Sequence, residues 1–160
     1  MTSFLKGLKS QKVGLDTMIF IYAFEEHPAY LPLLKDFFRV LENGEIEAVT
    51  STISITECLV QPYRKKDFAL AAQYMVLFRN FPHLSIIPMT DDVAERAAFL
   101  RAHYNLKTPD AIQMATALIS GCRAFLTNDE HLTSVEGIDI LVLDQLSWSA
   151  VSSSYLRYRI

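Results

Sequence analysis

The chain has 160 residues, 51% hydrophobic and 21% charged, which supports one sizeable core and excludes a disordered polyelectrolyte. Fifteen Lys and Arg against eighteen Asp and Glu give a formal net charge of -3, which excludes a broadly basic coat for nucleic acid. Two cysteines, Cys58 and Cys122, are too few for a disulfide scaffold and fit a reducing compartment. The longest apolar run, Met18 to Phe24, is far short of the ~20 residues that span a bilayer. Lys6 and Lys9 precede no apolar stretch of signal-peptide length. The expectation is a single soluble cytoplasmic domain over residues 1–160, with no membrane partner.

In chain order, Lys12–Asp16 reads as a short buried strand with an acid at its carboxyl end. Thr17–Glu25 follows as helix, stopped by His27-Pro28. From Leu31 to Glu42 the apolar residues Leu34, Phe37, Phe38 and Leu41 recur at helical spacing, and Asn43-Gly44 supplies the stop. Ile46–Ser51 is a second strand, followed by a helix through Glu57 that ends near Pro62. Asp67–Phe81 is a long helical pattern and Leu84–Pro88 a short strand. Thr90 caps the next helix, with Asp91 and Asp92 in its first turn. Thr108-Pro109 reads as a cap followed by proline at the first helical position, in a helix that ends before Gly121. Ala124–Thr127 and Ile138–Leu143 complete about five strands. Strands alternating with helices predict an α/β fold, a central parallel sheet with helices on both faces and a core over about residues 12–143. The tail, residues 147–160, has no clear period and is left unassigned.

Ligands of an open parallel sheet bind outside the carboxyl ends of its strands. This chain places acids there. Asp16 closes the first strand, Asp129 follows Ala124–Thr127, Asp110 opens the Thr108 helix, and Glu57 lies on the helix after the second strand. Carboxylates drawn together repel unless a positive charge sits between them, and the usual occupant of an all-oxygen cluster is a hard divalent cation, Mg²⁺ or Mn²⁺. Such an ion activates water for phosphodiester hydrolysis without a Ser, Cys or His nucleophile. Each acid also has an ordinary structural use. Asp16 can cap the helix behind it, Glu57 can close a capping box with Ser54, Asp110 can complement a helix dipole, and Asp129 can sit in a turn with Asn128.

Four segments together resemble one family, the PIN-domain nucleases, including the VapC-type toxins of toxin–antitoxin pairs. They are LDTMIFIY with Asp16, the spaced Ser51, Ser54 and Glu57, TPDAIQMATAL with Asp110, and FLTNDEHL with Asp129. The resemblance runs from about Val13 to Leu143. It implies a three-layer α/β fold and Mg²⁺- or Mn²⁺-dependent cleavage of single-stranded RNA, with Asp16, Glu57, Asp110 and Asp129 as the metal-binding, catalytic quartet. By the same resemblance Thr17, Thr127 and Asn128 are supporting polar residues, and an antitoxin protein and a second copy of the chain are partners. Met18 stands where a small polar residue often follows the Asp-Thr pair, and Leu132 where an aromatic is frequent.

Other features carry less. His27, His83, His103 and His131 have no zinc-ligand spacing. Tyr63-Arg64-Lys65-Lys66 is the strongest basic run, and Lys107 immediately precedes the Asp110 turn, so Arg64 and Lys107 are the candidates for contact with an RNA backbone. The helical stripe with Phe68, Ala71, Met75 and Phe78 serves as core or as a dimer seam. Two alternatives stand beside the nuclease: a catalytically inactive PIN domain that holds RNA or protein, and an aspartate-nucleophile phosphatase. The phosphatase needs a second Asp two residues after the first, where this chain has Met18. With the quartet set aside, eighteen acids fall to fourteen against fifteen bases, so the acidic excess is one local cluster.

Overall fold

Five short apolar runs form one sheet in the computed structural model, which describes residues 3–146. The tail at residues 147–160 lies outside the described residues. The strands are β1 (Lys12–Leu15), β2 (Glu47–Ser51), β3 (Leu84–Ile87), β4 (Ala124–Thr127) and β5 (Asp139–Val142), in the order β3-β2-β1-β4-β5. All four pairings are parallel. The helices are α1 (Ser3–Gly7), α2 (Thr17–Phe24), α3 (Leu31–Glu42), α4 (Thr52–Arg64), α5 (Phe68–Asn80), α6 (Asp91–Tyr104) and α7 (Thr108–Ile119), with a 3₁₀ turn at Glu130–Ser134.

Side chains alternate across a strand, and the sheet is apolar on both faces as a buried parallel sheet requires. Val13, Leu15, Ala48, Ala124 and Leu126 enter one core with Ile19, Phe20, Leu34 and Phe37 of α2 and α3. Val49 and Phe125 enter the other with Val93 and Leu100 of α6 and Ile112 and Met114 of α7. The expected three layers are therefore present. From β1 the chain builds outward to β2 and β3, then returns across the sheet to β4 and β5. The direction of building reverses beside β1, which opens a crevice at the carboxyl ends of β1 and β4.

Three boundaries differ from the sequence expectation. Helix α1 is a single short turn without a readable period. Helix α4 continues through Pro62 to Arg64, because proline removes only its own donor and the Lys65 N–H still reaches the Gln61 carbonyl at 3.0 Å. Thr108 is not the cap of α7. Lys107 takes that position with extended backbone and no side-chain cap bond, and Thr108 and Pro109 are the first helical residues. Proline is tolerated there because first-turn N–H groups have no partner within the helix. Asn105, in the left-handed region at φ 54°, ends α6 and turns the chain into α7 within three residues.

Gly14 sets how close α7 lies to the sheet. A Cβ at Gly14 would fall 2.6 Å from both the Ala117 Cβ of α7 and the Phe125 Cδ2 of β4. Both neighbours are fixed in the core, so neither can yield cheaply. Gly14→Ala is therefore expected to destabilise the protein by roughly 1–3 kcal/mol through overpacking. Equilibrium urea unfolding checks this: the midpoint should fall with the slope unchanged.

Candidate active site

Asp16 leaves β1 directly into the crevice. It holds the N-cap position of α2 with extended backbone, yet its side chain makes no cap bond. Its Oδ2 instead accepts from Thr127 Oγ1 at 2.6 Å. Thr127 ends β4 and is fully buried, so this bond ties the ends of two paired strands. Thr127 Oγ1 also accepts from the Asp129 N–H at 3.0 Å, which fixes the start of the turn carrying the fourth acid. One oxygen of Asp129, Oδ1, caps the 3₁₀ turn by accepting from the His131 N–H at 2.9 Å. The turn role expected for Asp129 is thus real and uses one oxygen. Leu132, behind it, is core.

Glu57 does not close a capping box. Ser51 caps α4 by accepting from the Ile53 N–H, and Ser54 lies inside the helix, facing Thr50 and Thr17. Glu57 Oε2 accepts from Thr17 Oγ1 at 2.5 Å. Asp110 stands half-buried in the first turn of α7, where it also suits the helix dipole. Three residues on, the same helical face carries Gln113, only 2% exposed. Its Nε2 donates to Thr17 Oγ1 at 2.9 Å and to Ser54 Oγ, and its Oε1 accepts from the Ser51 N–H at 3.3 Å.

Burial pushes the Asp16 carboxyl up to about 6, against a downward pull from the Thr127 hydroxyl and with the charges of Asp110 and Glu57 adding to the rise. Asp110 is also raised, first by burial and then by Asp129, with Lys107 lowering it and Glu57 raising it. Asp16 thus feels the charges of Asp110 and Glu57, and Asp110 those of Asp129 and Glu57, which links acids from four segments. All their donor atoms are oxygen, the set that suits a hard divalent cation. Among the described residues no three His, Cys, Asp or Glu side chains are grouped tightly enough to enclose an ion as they stand. Asp16 and Glu57 are turned onto Thr127 and Thr17.

Lys107 is exposed, acts on Asp110, and lines with Asp110, Asp129, Tyr104 and His131 an open groove of about 570 Å³. Arg64 is not brought to the acids: it ends α4 seven residues past Glu57, roughly 10 Å along the helix axis. Asn128 turns its side chain to a latch, with Nδ2 donating to Tyr30 Oη at 3.0 Å and Oδ1 accepting from the Asp144 N–H at 3.0 Å. Tyr30 Oη donates in turn to Asp144 Oδ1, and its ring stacks on His27. Sequence reasoning missed Gln113 and Tyr30. Gln113 had a signal, as the polar residue in the apolar run Ala111–Ala115; Tyr30 had none, since Asn128 lies 98 positions away. Burial raises the thiol of Cys58 to about 12 and that of Cys122 to about 11, so neither is a ready nucleophile.

The Asp16 shift fixes a pH dependence. The native state holds a proton more tightly than the unfolded chain, whose carboxyl titrates near 3.8. The stabilisation is complete below pH 3.8 and is lost as pH rises through about 6. In chelator, urea unfolding should show the protein less stable at pH 7.5 than at pH 5, with Asp16 supplying about 1 kcal/mol of that difference. Asp16→Asn should raise the stability at pH 7.5 and reduce that dependence. A wild type more stable at pH 7.5 would contradict the burial of this charge.

The PIN-domain family profile matches residues 13–138. No curated protein sequence gives a significant match. Among solved structures, a toxin–antitoxin complex from Klebsiella pneumoniae is 25% identical with a TM-score of 0.62, over 84% of this chain and 98% of that one. VapBC2 from Rickettsia felis, bound to a DNA fragment from its promoter, is 16% identical with a TM-score of 0.63, over 82% of this chain and 98% of that one. DNA-bound VapBC from Salmonella typhimurium is 16% identical with a TM-score of 0.61, over 84% and 98%. Among the described residues no helix is long and apolar enough to cross a membrane. With a profile match over most of its length and the five-stranded parallel sheet in the order described, the chain belongs to the PIN-domain family.

Proposed function

We propose that the chain is a Mg²⁺- or Mn²⁺-dependent endoribonuclease that hydrolyses phosphodiester bonds of single-stranded RNA in the cytoplasm, as the toxin of a toxin–antitoxin pair. The observation that carries this reading is the gathering of the acids in one half-buried crevice: Asp16 and Asp110 are both raised, first by burial and then by their acidic neighbours. A structure that gathers like charges in a buried crevice is built for a counter-charge. Asp16, Glu57, Asp110 and Asp129 would hold the divalent cation, which when bound lowers the pKa of a water and polarises a phosphate oxygen.

The chain's own residues orient this chemistry. Thr127 holds one oxygen of Asp16, Thr17 holds one oxygen of Glu57, and the His131 N–H holds one oxygen of Asp129. Lys107, at the mouth of the groove, supplies the positive charge that a phosphodiester backbone meets on entry. An antitoxin partner is supported by the toxin–antitoxin complex matched at 25% identity. Self-association is supported by α5, which leaves Phe68, Val76 and Leu77 exposed.

The test is cleavage of unstructured and structured RNAs with and without Mn²⁺. Asp16→Asn and Asp110→Asn should each lose roughly a hundredfold or more of the Mn²⁺-dependent rate while remaining folded. Undiminished cleavage by either purified variant sinks the reading, and calorimetry showing no Mn²⁺ binding to the wild type would favour an inactive binding module. Lys107→Ala should raise KM for RNA with little change in kcat, and reduce the dependence of log affinity on log salt by about one unit. A salt dependence identical to wild type would remove Lys107 from the RNA path.

A further inference from the structure

We infer that Gln113 is a positioning residue that directs the Thr17 hydroxyl onto Glu57 and so sets the aim of that carboxylate. The inference rests on the metal-site reading above and deepens it. It starts from an account of protons. The Ser51 N–H can only donate, and it meets the Gln113 amide at 3.3 Å, so the atom facing it is the amide oxygen Oε1. The amide nitrogen then faces the two hydroxyls on the other side, Thr17 at 2.9 Å and Ser54. Its two hydrogens are both spent, one on each hydroxyl.

Each hydroxyl, having accepted from Gln113, sends its own proton onward. Thr50 Oγ1 donates to the Leu15 carbonyl at 3.0 Å, with Gln113 Oε1 a second acceptor at 3.4 Å, and on either arrangement it receives the Ser54 proton across 2.8 Å. The Ser54 proton is thereby used, and the Thr17 proton goes to Glu57 Oε2. The network has two exits, a backbone carbonyl of β1 and the Glu57 carboxylate. Gln113, Ser54, Thr50 and Thr17 are all buried, while Glu57, where the network ends, is half-buried. Through one amide, α7 with Asp110 is locked to the end of β2 at Ser51 and to the start of α2 beside Asp16. Gln113 touches no substrate. It acts through Thr17.

The experiment uses the full chain with Gln113→Met, of similar length and without donors, and Gln113→Glu, whose carboxylate would accept from Thr17 and compete with Glu57. Mn²⁺ affinity is read by calorimetry and Glu57 by crystallography. Either variant should weaken Mn²⁺ binding about tenfold or more, with KM for RNA unchanged and the Glu57 carboxylate displaced from Thr17. Thr17→Val should cause the same loss, and Thr17→Val with Gln113→Met no more than Thr17→Val alone. Mn²⁺ binding within twofold of wild type in both Gln113 variants, or losses that multiply in the double variant, would overturn the assignment. Failure of both Gln113 variants to fold would also overturn it, leaving Gln113 a structural residue only. If the wild type binds no Mn²⁺, the metal-site reading falls by itself. The variant crystal structures then decide the positioning claim: displacement of Glu57 supports it, and an unmoved Glu57 refutes it.

Discussion

A carboxylate removed from water loses solvation that its neighbours must replace, and Asp16, 8% exposed at the end of a central strand, is where this chain meets that constraint. Two acidic neighbours make its ionisation harder rather than easier. The compensation visible in the protein comes from neutral donors: the Thr127 hydroxyl and the Thr17 backbone N–H act on Asp16, and the Thr17 hydroxyl holds Glu57. A neutral hydroxyl satisfies one lone pair without neutralising the charge. The site therefore keeps its ions oriented and still short of positive charge, which is the condition under which a bound cation gains most.

The rest of the fold can be traced to that requirement. Thr127 can reach Asp16 only because β1 and β4 are paired neighbours in register, Leu15 beside Leu126. Asp110 can join them only if α7 lies close over β1, and the absence of a side chain at Gly14 permits this. The same close approach brings Gln113 within reach of Ser51, Thr17 and Ser54. Backbone packing and buried hydrogen bonding thus solve one geometric problem from two sides, and a looser helix–sheet distance would undo both.

Much of this was legible in the sequence, for a definable reason. The strands are short apolar runs closed by polar residues, and the helices from α2 to α7 carry either an apolar period or a stop signal. Asp16 and Asp129 were readable as strand-end acids because strand direction in a parallel sheet fixes which end holds the ligand. Local signals misled where a stronger context prevailed: Thr108 reads as a cap, yet the turn after Asn105 places Lys107 there. The hydroxyl–amide network was illegible, since Gln113 and Thr17 lie 96 positions apart and no local rule pairs them. Asn128 lay beside the fourth acid as expected, but its side chain is drawn to Tyr30 and Asp144.

The division between these readable and unreadable parts bears on how the family's chemistry is carried by this chain. In the proposed reading the four carboxylates are demanded by charge: remove one and the donor set changes. The residues that aim them are demanded only by geometry, and any buried donor of the right reach serves. Glu57 needs a donor, not specifically a threonine held by a glutamine. Gln113 is thus a local solution to a general requirement, tied to the hydroxyls that this sequence places at Thr17, Thr50 and Ser54. It follows that substituting Gln113 alone should be harsher than exchanging it together with the hydroxyls it organises, because the pieces left behind would be buried polar groups with no partner.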